Sequence, residues 1–409
     1  MKLLFVHQTL GEFGGAEANI RLAASELKAR GHTLALAHLH TTGRKEEEWR
    51  RIFSTTYALR HSGDVEQIAT ALAQFAPDVI YLHNLTDLPV LEALFGAGVP
   101  VVRMVHDHSM YCLRGYKYNY FTRKVCARAA SPYCVFPCLA NVVRRPGGVL
   151  PFQFASYTDK RREIELNRQC RAWVVYSTYL KDELVRNGFP PQRISVCVPM
   201  KIAGAEGHTS SFSNRNLILF AGQVIRGKGV DALLRALSKV RAPFECAVLG
   251  DGNHRAYCER LTRKLGLNGR VAFHGYLPQA ELKRFYLEAS VFVMSSLWPE
   301  PFGMAGPEAM RYGLPVVAFD AGGISEWLKD GENGFLVPWN NLSQFAARLD
   351  LLLQNKELAR ALGKEARLSV QRFDLPGQVN TLERLFARLA RPTPLNRAPS
   401  ISQELSVCL

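Results

Sequence analysis

The strongest constraint on the fold of this sequence is a repeated alternation of short apolar segments with amphipathic segments, which occurs in two series. The first series contains KLLFVHQTL, DVIYLHN, VPVVRMVHD and AWVVYST, and the second contains NLILFAG, FECAVLG, RVAFHGY, VFVMSS and PVVAFD. Segments that are apolar on both faces are typical of parallel strands covered by helices on both sides of a sheet. The sequence therefore predicts an α/β protein with two tandem, doubly wound, Rossmann-like domains.

The two series are separated by residues 199–216, PMKIAGAEGHTSSFSNRN, which are rich in Gly, Ser and Asn and show no periodicity. This composition indicates a linker, and a chain of 409 residues is long enough for a core on each side of it. The predicted units are an N-terminal domain (1–200) with a Cys-containing insertion (107–158), a C-terminal domain (201–373), a last helix (374–390) and a flexible tail (391–409). Two such domains are expected to face each other across a cleft at the carboxyl ends of their strands.

The positive charge of the chain, +15 in total, is concentrated in and around the insertion. Between Arg103 and Arg162, eleven Lys and Arg residues stand against Asp107 and Asp159 only, a net charge of +9, and aromatic residues are interleaved with them. An anionic membrane surface, a phosphorylated substrate and nucleic acid all suit such a segment, and a solvated basic loop is the plainer alternative. Because no nucleic-acid-binding signature accompanies the charge, we do not expect a nucleic-acid partner.

Four of the nine cysteines also lie in the insertion, within 27 residues: Cys112, Cys126, Cys134 and Cys138. A disulfide framework is not expected in a cytoplasmic chain of this size. Four thiolates, supplemented by His106 or His108, could hold a structural zinc that braces a segment with little core of its own. Since the spacing is not the paired C-x2-C pattern, reduced and partly buried thiols are the alternative.

Two features of the sequence predict a cytoplasmic protein. No apolar stretch reaches the length of a membrane span. The apolar run that follows the N-terminal Met1 and Lys2 is also too short for a signal peptide.

Two loops at the ends of predicted strands have the composition of anion sites. GEFGGAE offers glycine amides at a helix start, and a tight structural turn is the alternative for it. Because the loop is not G-x-G-x-x-G, a nicotinamide dinucleotide is not predicted. FAGQVIRGKGVDALLRAL places Arg226 and Lys228 directly before a helix, where cations and backbone N–H groups together bind a diphosphate. A helix-flanking basic pair is the alternative for the second loop.

The stretch WPEPFGMAGPEAMRYG carries two carboxylates, Glu300 and Glu308, around a glycine-containing turn. We predict that Gly303 begins a helix and that the amides of residues 302–305 point into the cleft. Carboxylates on either side of such a turn bind paired sugar hydroxyls well, because each oxygen accepts hydrogen bonds. An exposed acidic pair at a helix cap is the alternative.

With these motifs the chain resembles the retaining family-4 glycosyltransferases of the GT-B fold, also called glycosyl transferases group 1. The resemblance rests on Glu300-x7-Glu308 within EPFGMAGPEAMRYGLPVVAFDAGGISEWLKDGENGFLV, and on GGAE at 14–17, VHD at 105–107, KG at 228–229 and GDG at 250–252, in the order typical of that family. The insertion HDHSMYC…C…C…C is similar to that of a Cys-containing subgroup. In this fold the last helix crosses back onto the N-terminal domain.

The resemblance implies a role for each matching residue. Glu308 would bind the ribose hydroxyls of a nucleotide sugar, and Glu300 would contact the hydroxyls of the donor sugar. The implied catalytic residues are His106, over the reacting sugar, Lys228, which neutralises the diphosphate, and Glu300. The implied donor-binding residues are Gly14, Gly15, Gln223, Arg226, Lys228, Gly250, Phe302, Gly303, Met304 and Glu308, and Glu326 occupies the last acidic position of the block. Gln223 stands where family members often carry Arg, so the diphosphate site loses a charge there unless Arg226 replaces it.

The implied activity is the retaining, metal-independent transfer of a sugar from a nucleotide diphosphate sugar to an acceptor hydroxyl, with no cofactor required. We expect a lipid-linked or anionic glycan acceptor, a peripheral position at the inner face of the cytoplasmic membrane, and a place in cell-surface polysaccharide or lipopolysaccharide synthesis. A nucleotide-sugar epimerase of the same architecture is one alternative, although it usually lacks the E-x7-E block. A non-catalytic member that binds glycan or organises an assembly complex is the other, and only Gln223 favours it.

Overall fold

The computed structural model describes residues 1–12, 14–144, 152–198, 207–213 and 215–390, and these residues form two parallel sheets flanked by helices. The prediction of an α/β protein with two doubly wound domains is therefore confirmed. Residues 199–206 and 214 of the predicted linker and all of the predicted tail lie outside the described residues. None of the helices in the described ranges is both long enough and apolar enough to span a bilayer.

The N-terminal half contains a seven-stranded sheet with the strand order β3-β2-β1-β4-β5-β8-β9, in which all neighbours are parallel. Its elements are β1 (Lys2–Leu10), α1 (Gly15–Ala29), β2 (Thr33–Thr41), α2 (Glu46–Ile52), β3 (Thr55–Ala58), α3 (Val65–Phe75), β4 (Val79–Leu82), α4 (Leu88–Gly96), β5 (Val101–Val105), β6 (Val142–Arg144), β7 (Phe152–Phe154), α5 (Tyr157–Asn167), β8 (Ala172–Val175), α6 (Thr178–Arg186) and β9 (Ile194–Val196). The short strands β6 and β7 form a separate antiparallel pair.

The C-terminal half contains a six-stranded parallel sheet with the order β12-β11-β10-β13-β14-β15. Its elements are β10 (Leu217–Ala221), α7 (Val230–Leu237), β11 (Glu245–Leu249), α8 (Arg255–Lys264), β12 (Val271–Gly275), α9 (Gln279–Glu288), β13 (Val291–Met294), α10 (Ala305–Arg311), β14 (Val316–Phe319), β15 (Gly334–Val337), α11 (Leu342–Gln354), α12 (Lys356–Ser369) and α13 (Leu375–Ala390). Strands β13 and β14 are buried along their whole length, which explains their continuous apolar sequences.

Both sheets reverse their strand order beside their first strand, between β1 and β4 and between β10 and β13. In doubly wound sheets the loops that leave the carboxyl ends of the strands at such a reversal form the ligand site. The described loop residues at these positions are 11, 12, 14 and 83–87 in the first sheet and 222–229 and 295–304 in the second. They include most of the residues that the sequence analysis singled out.

The last helix, α13, returns to the N-terminal sheet and packs against α1 and β4. Glu383 accepts a hydrogen bond from Arg30 Nη1 at 2.6 Å and lies 2.8 Å from His32 Nε2. The ring centroids of Phe386 and Tyr81 are 5.1 Å apart. These contacts place the helix as the GT-B resemblance implied.

The insertion between β5 and α5 forms little regular structure in the part that is described. Polar contacts help to hold it: the buried Lys117 pairs with Glu183 of α6 at 2.9 Å, and Asn187 accepts the amide of Ala130 at 2.9 Å. Apolar side chains of the same segment are buried as well: Met110 and Tyr111 lie in the first hydrophobic core and Tyr118 in the second.

The prediction that Gly303 begins a helix is wrong by two residues, since α10 begins at Ala305. Gly303 has a φ of +82°, in the left-handed region that only glycine adopts at low cost, so it forms the turn before the helix.

Candidate functional site

Lys228 and Glu300, which are 72 residues apart in sequence, form an ion pair at the carboxyl edge of the second sheet. Lys228 Nζ lies 2.7 Å and 2.9 Å from the two carboxylate oxygens. Ser296 Oγ and the indole Nε1 of Trp298, the latter at 3.0 Å, also donate to Glu300. Burial raises the pKa of Glu300, but Lys228 and the two neutral donors outweigh it, so the pKa lies below its ordinary value. Glu300 is therefore ionised, with three donors on Oε1, while Oε2 accepts from Lys228 alone and keeps capacity for a further donor.

Glu308, on the first turn of α10, differs from Glu300 in its hydrogen bonding and in its pKa. Among the described residues it has no hydrogen-bond or ion-pair partner, and burial raises its pKa from the ordinary value of 4.5 to about 7. The nearby hydroxyl groups of Tyr286 and Tyr312 lie within its electrostatic reach, because Glu308 contributes to the raised pKa of each. Burial removes water from this carboxylate, and no described group donates a hydrogen bond to it in place of that water. Such a carboxylate is a candidate for binding the hydrogen-bond donors of a ligand.

The turn between the two carboxylates offers unpaired backbone donors. Within the described residues, the amides of Gly303 and Met304 donate no hydrogen bond, and the side chain of Phe302 is buried beneath them against Phe373. The Gly14 amide is different, since it donates to Glu17 at 3.0 Å inside the first sheet's loop. Gly15 is the first residue of α1, with open space where a Cβ would lie. The predicted anion donors at 303–304 are thus available, whereas that of Gly14 is already occupied.

His106, at the end of β5, is buried inside the N-terminal half. Its Nε2 is hydrogen-bonded to His83 Nδ1 at 2.9 Å and its Nδ1 to the Tyr176 hydroxyl at 2.6 Å. Burial lowers the pKa of His106 to about 3, so the ring is neutral at physiological pH. Both ring nitrogens are occupied, and a contact with a donor sugar requires that one of these hydrogen bonds be exchanged.

The remaining predicted donor residues line the loops after β10 and β11. Gln223 is exposed, whereas Arg226 and Lys228 form the two ends of a 3-10 turn. Gly250 lies against the backbone of the loop that follows β10. A Cβ at this position would lie only 2.0 Å from the carbonyl oxygen of Gly222. The role of Gly250 is therefore to let the two loops approach each other closely.

The two halves of the chain are in contact beside this site. His108 Nε2 is hydrogen-bonded to the Pro299 carbonyl oxygen at 2.9 Å, and Ser177 Oγ donates to that of Pro301 at 2.6 Å. Glu326 accepts the amide of Thr178 at 2.7 Å, at the N-terminus of α6. A carboxylate at this position satisfies an amide without an intrahelical partner and complements the helix dipole. Glu326 thus connects the two halves.

The four insertion cysteines line one small cavity of about 20 Å³ and all carry free thiols. Across the described residues, however, no group of three or more Cys, His, Asp or Glu side chains is arranged to hold a metal ion. His106 and His108 are also unsuitable as additional ligands, since hydrogen bonds occupy the ring nitrogens of both. The arrangement does not fit a zinc centre as it stands, and zinc stays a prediction from sequence.

Several residues of the site were not identified from the sequence. Trp298 is the most important of them, because its ring lies 5.0 Å from Lys228 Nζ and its indole binds Glu300. Its position two residues before Glu300 was the only available signal. His83 and Tyr176, which hold His106, follow β4 and β8 and carried no motif.

Two protein-family models match this chain, one in each half. Residues 13–198 match the family model described as Glycosyltransferase Family 4, and residues 207–369 match that described as Glycosyl transferases group 1. A D-inositol 3-phosphate glycosyltransferase of Streptomyces bingchenggensis is 32% identical over 215 residues, which cover 47% of this chain and 47% of that protein. The lipopolysaccharide core biosynthesis glycosyltransferase LpsE of Rhizobium meliloti is 30% identical over 148 residues, 36% of this chain and 42% of that protein. The chain thus spans less than half the length of these curated relatives.

Among solved structures, HepE of Anabaena in complex with UDP-glucose superimposes with a TM-score of 0.74 and 20% identity, over 95% of this chain and 100% of that one. At this identity the likeness shows the shared fold. Because the two family models together cover the N-terminal and the C-terminal halves, and the fold agrees with them, this chain belongs to the family-4 glycosyltransferases of the GT-B fold.

Proposed function

We propose that this chain is a retaining glycosyltransferase that moves a sugar from a UDP-sugar to a hydroxyl group of a lipid-linked or cell-surface glycan. The observation that carries the proposal is the contrast between Glu300, hydrogen-bonded and paired with Lys228, and Glu308, which lacks any partner among the described residues. UDP is the proposed nucleotide because HepE was solved with UDP-glucose, and the lipid-linked acceptor follows the lipopolysaccharide role of LpsE.

In the proposed complex each group has a distinct task. The Glu308 carboxylate accepts the two ribose hydroxyls, which replaces the solvation that it has lost. The amides of Gly303 and Met304 donate to the diphosphate, and Lys228 lies beside it. Glu300, held ionised by Lys228, accepts hydroxyls of the donor sugar. His106 and its hydrogen-bonding partners form the wall of the pocket on the N-terminal side.

The proposed chemical step takes place on one face of the sugar. The acceptor oxygen forms a bond to the anomeric carbon on the face from which the phosphate leaves, and the bond between that carbon and the phosphate oxygen breaks. The acceptor's proton passes to the departing phosphate. Glu300 is a poor nucleophile because both its oxygens are hydrogen-bonded to Lys228, which favours this direct route. Lys228 and the amides stabilise the charge that develops on the phosphate, and the step uses no divalent metal.

The proposed acceptor approaches from the insertion, at the inner face of a cytoplasmic membrane. Three phenylalanines of this segment are strongly exposed: Phe136 at 77%, Phe154 at 72% and Phe121 at 64%. Exposed aromatic side chains beside basic residues favour the headgroup region of an anionic bilayer.

Transfer can be tested with purified protein, a membrane lipid extract and UDP-, GDP- and ADP-sugars in the presence of EDTA. We expect the sugar of a UDP-sugar to enter the lipid fraction with its anomeric configuration retained, as read by NMR, and Glu308→Gln to reduce the transfer strongly. Release of isomerised sugar without an acceptor would indicate an epimerase instead. Nucleotide binding without any turnover would indicate a non-catalytic member.

A further inference from the structure

The insertion of the N-terminal half reaches onto the loop that precedes α7 in the C-terminal half. Arg123 binds Asp231 of α7 through both terminal nitrogens, at 2.6 Å and 2.9 Å, and its Nη2 also donates to the carbonyl oxygen of Arg226 at 3.2 Å. Its Nε donates to the Tyr118 hydroxyl at 2.9 Å, which fixes the guanidinium within the insertion. A planar, bidentate ion pair of this kind sets orientation as well as distance.

The same segment contacts the side chain of Arg226. The guanidinium lies over the ring of Tyr120, 4.4 Å from its centroid, and in the described part of the chain it makes no hydrogen bond or ion pair. An aromatic face orients a guanidinium and leaves its N–H donors free for another acceptor. Arg226 therefore has a fixed position and unused donors.

The charges around this loop leave Arg226 uncompensated. Lys228 is neutralised by Glu300, and Gln223 brings no charge. Asp231 is already shared by Arg123 and Arg235. His254, 3.8 Å from Asp231, adds no negative charge, and burial lowers its pKa despite the nearby carboxylate. The loop therefore carries a surplus of positive charge, and Arg226 is the member of it with free donors.

We propose that Arg226, held by Tyr120 and Arg123 of the insertion, supplies the positive charge for the donor diphosphate that Gln223 does not supply. The insertion then completes the donor site from the opposite half of the chain, and donor affinity depends on its docking. This inference rests on the proposed function, since it assigns a residue to the diphosphate of the same donor. Arg226 is a binding residue, whereas Tyr120 and Arg123 are positioning residues.

The test measures UDP binding by calorimetry in wild type, Arg226→Gln, and the double variant Gln223→Arg with Arg226→Gln. Loss of a charge-assisted contact to a phosphate should weaken UDP binding about 10- to 100-fold, and the double variant should recover most of it. Arg241→Gln, which removes the same charge from an exposed position, is the matched control and should bind UDP as wild type does. Thermal unfolding should show that all variants are folded.

The positioning role has its own readout. Tyr120→Ala and Arg123→Gln should raise the KM for the UDP-sugar several-fold with little change in the KM for the acceptor, and Arg123→Lys should recover part of the loss. If Arg226→Gln binds UDP as tightly as wild type while Glu308→Gln binds it more weakly, the inference about Arg226 is wrong and the proposed function stands. If wild type does not bind UDP, or Glu308→Gln binds it normally, the proposed function itself fails.

Discussion

Replacing Glu308 with Gln is expected to stabilise the ligand-free protein and to weaken nucleotide binding at the same time. Burial raises the pKa of Glu308 from 4.5 to about 7, and no described residue donates to it. The folded protein then binds more protons than the unfolded chain between these two values. Stability is therefore lost as the pH rises from 4.5 through about 7, because the carboxylate must ionise in a poorly solvated position. A glutamine has nearly the same shape and avoids this cost.

The magnitude follows from the two pKa values. A rise from 4.5 to about 7 corresponds to a cost of up to about 3 kcal/mol at pH 8 and only about 1 kcal/mol at pH 5. Since 1 kcal/mol shifts the melting temperature of a domain of about 150–250 residues by about 2–4 °C, Glu308→Gln should melt about 6–12 °C above wild type at pH 8. At pH 5 the difference should shrink to a few degrees.

Binding should change in the opposite direction. With a pKa of about 7, Glu308 is ionised in about nine of ten molecules at pH 8 and in about one of ten at pH 6, so the affinity of wild type for UDP should fall about tenfold between them. Glu308→Gln should bind UDP about tenfold more weakly at pH 8 and lack this part of the pH dependence. The titration of UDP itself is common to both proteins and cancels in the comparison.

Differential scanning fluorimetry and calorimetry at pH 5, 6, 7 and 8 provide the measurements. Glu332→Gln removes an exposed carboxylate and serves as the matched control, which should change neither quantity. If Glu308→Gln melts with wild type at pH 8 and binds UDP with the wild-type pH profile, the carboxylate is neither poorly solvated nor a ribose ligand, and the assignment of the site is refuted.

Three further predictions concern other parts of the site and the insertion. Lys228→Ala should destabilise the protein by about 3 kcal/mol in thermal unfolding, because it leaves the Glu300 carboxylate buried without its cation, and adding Glu300→Gln should recover part of the loss; additive losses would contradict the pairing. Glu326→Gln should lower stability by about 1 kcal/mol and increase the radius of gyration in small-angle scattering, since Glu326 connects the two halves, and unchanged scattering would exclude a role in holding them together. Metal analysis should find about one zinc per chain if the sequence-based prediction holds, and a content well below this ratio would contradict it; the thiols concerned are Cys112, Cys126, Cys134 and Cys138.

Much of the fold was predictable because burial leaves a direct trace in the sequence. Parallel strands such as β13 and β14 are covered on both faces, so every position is apolar and the strand is visible as a continuous apolar run. The start of α10 was placed two residues early, because Gly303 is a turn glycine with a φ of +82° and sequence periodicity does not separate a turn glycine from a helical one.

The site was less predictable, since its contacts join residues that are distant in sequence. The E-x7-E spacing identified Glu300 and Glu308, but their different states depend on Lys228, which reaches Glu300 across 72 residues and not Glu308. His106 was expected to face the donor sugar, yet its hydrogen bonds to His83 and Tyr176 arise only when three strand ends meet. Single contacts of this kind have no periodicity and leave no pattern in the sequence.

The sequence gives the net charge of the insertion but not which of its charges are paired in the folded protein. This difference leads to a prediction about membrane binding. The net charge of +9 is partly used inside the protein, because Lys117 pairs with Glu183 and Arg123 with Asp231. Exposed Lys124 and Arg128 are more suitable contacts for a bilayer.

Binding to vesicles that contain phosphatidylglycerol should therefore weaken about 30-fold in the variant Lys124→Gln with Arg128→Gln, because each basic residue at an anionic surface contributes about 1 kcal/mol. Arg123→Gln should leave vesicle binding nearly unchanged, since its charge is already compensated by Asp231. Co-sedimentation at two salt concentrations separates the two cases. If Arg123→Gln loses about half of the binding free energy that the double variant loses, the net charge of the whole segment determines membrane affinity, and the assignment of Arg123 to an internal pairing role is wrong.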